Sequence, residues 1–217
     1  MTYTALQDKI LQILLLLPGI LAGFTFHEYA HAYVADKLGD KTPRFQGRLS
    51  LNPLVHIDPI GFIMILIIGF GWAKPVQTNP SAYKKYYKDD LKVSLAGPVA
   101  NLILAFISAV FLALFIKFTG SLSMNENLRW IITRIFVLSA SINCTLFVLN
   151  LIPIPGFDGF HILRDLFPKF FYNIADAIYR YQLIIMVLFL ASPLADYVIG
   201  VPSRYILSFI FNIVAKI

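Results

Sequence analysis

Apolar residues in this chain fall in long blocks separated by short polar stretches, and most of the blocks have the length of a membrane crossing. The first block predicts a helix over residues 6–38. Gly39 behind it suits a C-cap, and Pro18 and Gly19 mark a kink. Residues 40–59 are polar and punctuated by Pro43, Gly47, Pro53 and Pro59, a pattern of turns and short extended pieces. Residues 60–72 are apolar but short and interrupted by Gly61, Gly69 and Gly71, so they form either a short transmembrane helix or a re-entrant segment. A loop over 73–92 carries Lys74, Lys84, Lys85, Lys88 and Lys92. Two strong spans follow, over 93–118, with Gly97-Pro98 read as its first turn, and over 129–151. The turn Pro153-Ile154-Pro155-Gly156 then leads to Asp158. An interfacial stretch around 164–169, a last apolar run over 183–199 and an apolar tail at or in the interface complete the chain.

Composition sharpens this picture. Hydrophobic residues make up 58% of the 217 and charged residues only 14%, where a soluble domain is about half apolar and a quarter charged. The expected fold is an all-α polytopic membrane protein with a short re-entrant or β-like segment near residues 45–75. The loops are too short to hold a separate domain, so residues 1–217 read as one membrane-embedded domain. Its core covers about 6–166 and its C-terminal membrane-associated helices about 167–217. The first apolar run continues without a small-residue cleavage site, so it reads as a retained helix and not a signal peptide. The net charge of +6 sits in loops, with no separate basic arm or helix, which argues against nucleic acid as a partner. The single cysteine, Cys144, precludes an intrachain disulfide and a cysteine zinc site.

The placement of those charges constrains topology. Basic residues crowd both 37–48 and 74–92. A full crossing by 60–72 would put the two loops on opposite sides, against the positive-inside rule. Re-entry keeps both in the cytosol, sends 93–118 outward and brings 129–151 back. Residues 153–159 then lie at the cytosolic end, at the depth of His27 and His31. We expect a multi-pass protein of the cell membrane with its site toward the cytosol.

Chemistry is concentrated at the end of the first helix. His27-Glu28-Tyr29-Ala30-His31 holds two of four histidines and one of two glutamates. On a helix, this spacing puts two imidazoles one turn apart on one face, able to share a zinc ion, with a glutamate beside them to take a proton from water. Charge beside membrane-length apolar sequence is costly, which favours a functional reading. A catalytic zinc site needs a third protein ligand. Asp158 is the best candidate, lying at membrane depth between Gly156 and Gly159; read otherwise, it is a turn aspartate or a helix N-cap.

His27-Glu28-x-x-His31, Gly97-Pro98-x-x-Asn101 and Asn150-Leu151-x-Pro153-x-x-x-x-Asp158-Gly159 together resemble the site-2 protease family of zinc intramembrane metalloproteases. Residues 52–61 and 72–76 resemble its compact bacterial branch. The likeness covers roughly 24–166 and implies His27, His31 and Asp158 as zinc ligands and Glu28 as the catalytic base. Phe157 departs from a common Leu without touching the ligand. Residues 119–128 are too few for the PDZ-type domain that some relatives carry. The resemblance also suggests Asn150 as an amide donor to substrate or oxyanion, with a helix-end hydrogen bond as the plain alternative. Asn101 is either interhelical glue or a site-lining group, His56 either a site residue or a loop hydrogen bond, and His161 a residue near the site or the interface. The implied activity is hydrolysis of peptide bonds in or near transmembrane segments of membrane-protein substrates. The Gly- and Pro-rich region 47–72 would help by pairing with extended substrate. A rival, a non-proteolytic zinc transporter or sensor, would call for paired polar residues on several spans. The spans here carry few acids, and Glu28 would have no task.

Overall fold

A computed structural model describes residues 3–69, 71–120 and 123–216. Ten α-helices follow one another among the described residues: α1 (Tyr3–Leu38), α2 (Thr42–Phe45), α3 (Pro59–Ile68), α4 (Tyr86–Thr119), α5 (Glu126–Asn150), α6 (Asp158–Leu166), α7 (Pro168–Arg180), α8 (Gln182–Ala191), α9 (Pro193–Ala195) and α10 (Val201–Val214). Four helical segments are long and apolar enough to cross a membrane, or up to five if the sharply bent pair α7–α8 counts as one. The protein is an all-α polytopic membrane protein.

Helices α1, α4 and α5 pack against one another and form the centre of the molecule; α6 lies on α4, and α10 on α5 and α4. Small side chains make these approaches close, as expected where lipid supplies no hydrophobic drive between helices. Ala105, Ala109 and Cys144 are buried where α4 and α5 meet, with Ile210 and Val214 of α10 against them. A Cβ on Gly19 of α1 would lie 2.6 Å from Ser139 Cα of α5. Large apolar side chains such as Ile103, Phe106, Phe111 and Phe209 are exposed on the outer faces, the surface a lipid chain would cover.

The region between α1 and α4 leaves and returns on one side. His31, near the end of α1, meets Val93, near the start of α4, so residues 39–85 begin and end at the same level. The ten residues of α3 span about 15 Å, half a hydrocarbon core. Asp58 caps this helix by accepting the Gly61 N–H at 2.8 Å, and Gly69, at φ +81°, ends it. The chain then comes back: Ala73 pairs antiparallel with Ile57, and Lys74 N–H donates to His56 O at 2.8 Å. The described residues on either side of residue 70 therefore lead away from one end of the bundle and back to it.

Two boundaries differ from the expectations above. Pro98 lies well inside α4 and not at its first turn, and the helix starts at Tyr86, which shortens the loop expected over 73–92. The run expected over 183–199 is broken. Pro193 lacks an N–H and biases the preceding residue toward extended backbone; Ser192 sits at φ −86°, ψ 151°. The apolar span begins there and runs over Pro193–Val214, taking in most of the tail expected at the interface. Residues 121 and 122 of the short α4–α5 connection lie outside the described residues.

Candidate active site

His27, Glu28 and His31 lie on the buried face of α1, each less than a tenth exposed. Two features of α4 admit them. Gly97 faces the imidazoles so closely that a Cβ there would lie 2.6 Å from His27 Cε1 and overlap His31 Nε2. Pro98 has no N–H for the Ser94 carbonyl, which opens the helix ladder locally. The neighbouring Val93 carbonyl accepts the His31 Nδ1–H at 2.7 Å. His27 Nδ1 meets Asn101 Oδ1 at 2.7 Å. With both Nδ1 atoms donating, each Nε2 carries a lone pair.

Those lone pairs converge with a carboxylate. His27 Nε2 and His31 Nε2 are 3.0 Å apart; Asp158 Oδ2 is 3.2 Å from the first and Asp158 Oδ1 3.3 Å from the second. Asp158 starts α6 behind the double-proline turn. Gly159 beside it has no room for a Cβ against the Leu151 and Ile152 carbonyls. Asp158 Oδ2 is buried without a hydrogen-bond donor. Three groups able to donate electron pairs thus face one another, an arrangement that a cation would satisfy. Ligands about 2.0–2.1 Å from a tetrahedral zinc lie about 3.3 Å apart, close to the observed separations. His27, His31 and Asp158 could hold such an ion.

Glu28 lies under a roof. Its Oε2 accepts the Val76 N–H at 2.7 Å, from the segment that returns from α3. Arg48 is buried and holds this roof together. It donates to the Val55 and Lys74 carbonyls on either side of the re-entrant segment, and its Nη2 lies 3.9 Å from Glu28 Oε2. His56 is fully buried beneath the same roof. Its Nε2–H donates to Ser50 O at 2.7 Å. Burial pushes its pKa below the ordinary imidazole value, and the Arg48 charge adds to this.

A cavity of about 560 Å³ opens over these groups, lined also by Trp72, Val76, Leu146, Asn150, His161 and Met186. Asn150 is on its wall, with its amide turned back to Leu146 O at 3.0 Å. Asn101 is wholly buried: its amide N–H groups go to Gly23 O at 3.1 Å and to Asn143 Oδ1 at 2.9 Å. His56 does not line the cavity, and His161 does so away from the three convergent groups. Sequence reasoning passed over Arg48, Asn143 and the Val76 amide. A polar residue in mid-span was a signal for Asn143; a backbone N–H leaves none.

The sequence profile of peptidase family M50 matches residues 15–193. The chain belongs to this family, the site-2 protease family. Among curated proteins it is 41% identical over 180 residues to one named "Putative zinc metalloprotease YwhC" from Bacillus subtilis (strain 168), covering 83% of this chain and 81% of that one. It is 33% identical over 158 residues to "Putative zinc metalloprotease MJ0611" from Methanocaldococcus jannaschii, covering 72% of each. "Putative zinc metalloprotease Rip2" from Mycolicibacterium smegmatis is 33% identical over 160 residues, 70% of this chain and 56% of that one. No solved structure matches.

Proposed function

We propose that this protein is an intramembrane zinc metalloprotease that hydrolyses peptide bonds in or near transmembrane segments of membrane proteins. The observation that carries the reading is the convergence of His27 Nε2, His31 Nε2 and Asp158 beside the Glu28 carboxylate, at one end of three membrane-length helices. Zinc bound there would supply a Lewis acid that polarises the scissile carbonyl and makes water acidic enough to attack at neutral pH. Glu28 takes the proton of the attacking water and returns one to the leaving amide nitrogen. Val76 N–H and Arg48 orient the Glu28 carboxylate for that transfer. Asn150, on the cavity wall, would donate to substrate after turning from Leu146 O. Asn101 orients His27, and His56 holds the roof through its bond to Ser50. A substrate helix must unwind before its carbonyls become available, and the extended return segment, residues 73–77, offers a partner for the unwound chain. Residues 1–217 act as one domain in the cell membrane, with the site on the cytosolic side, where the basic loops lie.

The test is zinc content and cleavage together. Purified wild type should hold about one zinc per chain, and His27→Ala and Asp158→Ala should lose it. Glu28→Gln should keep the zinc while cleavage of a transmembrane substrate falls by about 10²–10⁴-fold. Folded wild type without zinc, or a fully active Glu28→Gln, would overturn the reading.

A further inference from the structure

A metal-binding imidazole must present a bare nitrogen, and for His27 that depends on a choice made elsewhere. His31 has no such choice: its Nδ1 faces a backbone carbonyl, which can only accept, so Nδ1 carries the proton. His27 Nδ1 instead faces the side-chain amide of Asn101. An amide has two ends. With Oδ1 toward His27 the ring carries its proton on Nδ1 and leaves Nε2 bare. With the NH2 toward His27 the proton moves to Nε2, and the ring cannot ligate.

We propose that Asn143, in the middle of α5, is a positioning residue that, together with the Gly23 carbonyl, fixes this choice; the proposal rests on the reading that His27 ligates a metal. Asn143 Nδ2 lies 2.9 Å from Ser139 O and 3.2 Å from Gly19 O, both backbone acceptors. Its NH2 must face them, so Oδ1 is forced to the other side. There it accepts from Asn101 Nδ2 at 2.9 Å, alongside Gly23 O at 3.1 Å. Reversing Asn101 would set its Oδ1 against two acceptors and leave it, fully buried, without a donor. The direction of the chain therefore runs from carbonyls of α1 and α5 through Asn143 and Asn101 to His27. Both asparagines are completely buried, which removes water as a substitute partner. The approach is built for this contact: a Cβ on Gly23 would lie 2.7 Å from Asn143 Oδ1.

The ring nitrogens report the outcome directly. Chelator-treated, detergent-solubilised full-length protein with ¹⁵N-labelled histidine gives the tautomer of each ring by NMR, with His27→Gln and His31→Gln for assignment. Zinc affinity is read by competition with a chelating dye. In wild type both rings should carry the proton on Nδ1. Asn143→Leu removes one of the two acceptors that hold the Asn101 amide and leaves only the Gly23 carbonyl. It should move His27, but not His31, toward the Nε2–H form and weaken zinc about tenfold or more. Asn143→Asp keeps an oxygen for Asn101 while losing a donor to the backbone. It should keep the His27 tautomer and hold zinc within about threefold of wild type, though less stable. If Asn143→Leu does not fold, Asn143→Asp decides by the same readouts. A Leu variant with His27 and zinc affinity unchanged, both rings disturbed alike, or an Asp variant that loses the tautomer would each overturn the proposal. Failure of the wild type to bind zinc would instead strike the proposed function, because the tautomers are read without metal.

Discussion

His27, Glu28 and His31 were legible in the sequence because their relation is local: helical spacing alone sets two rings on one face. Asp158 was reached by asking what else could complete a ligand set and by the resemblance carried in residues 150–159, since no spacing rule joins residue 31 to residue 158. Gly97 was visible as part of a motif, but its reason was not. The structure supplies it: the α4 backbone comes against both imidazoles, and any side chain there would overlap the Nε2 edges of the two rings. Gly97→Ala should therefore weaken zinc binding by about 100-fold or more. Alanine is the better helix former, so α4 itself should be undiminished. Zinc titration beside circular dichroism checks this; unaltered affinity would mean that α4 can step back from α1.

Periodicity and length located α1, α4 and α5, since an apolar run leaves few alternatives to a membrane helix. Where the elements break was harder to read. Proline stops a helix at Ser192 and merely opens one at Pro98. The carbonyl beside the opening at Pro98 has His31 as a partner, which no local pattern records. The tie between α6 and α4 was equally hidden. Arg164 reaches Asp90 of α4 and Asp165 of its own helix, the latter at 2.8 Å, with both acids buried. This tie sets the helix that begins with Asp158 against the helix that carries Gly97. Arg164→Ala strands two buried carboxylates and should cost about 3–5 kcal/mol of stability. Thermal unfolding in detergent measures it, and an unshifted midpoint would show that the tie contributes nothing.

At the scale of the molecule, the charge pattern and the fold agree: residues 39–85 start and finish at one end of the bundle, where the basic residues cluster. Cysteines placed at exposed Lys41, Lys84 and Ser123, in a Cys144→Ala background, should divide accordingly. An impermeant thiol reagent applied outside intact cells should label only Ser123→Cys. Labelling of Lys41→Cys but not Lys84→Cys would mean that α3 crosses after all.

The distance along the chain between the ligands has a consequence in time. Asp158 is made some 130 residues after His31, or about 6–25 s later at ordinary rates of synthesis. Until then the two imidazoles have no carboxylate opposite them. If its targets are membrane helices, as proposed, the protease is thereby born inactive: while its spans enter the bilayer beside other newly made proteins, the blade is still without its third rivet.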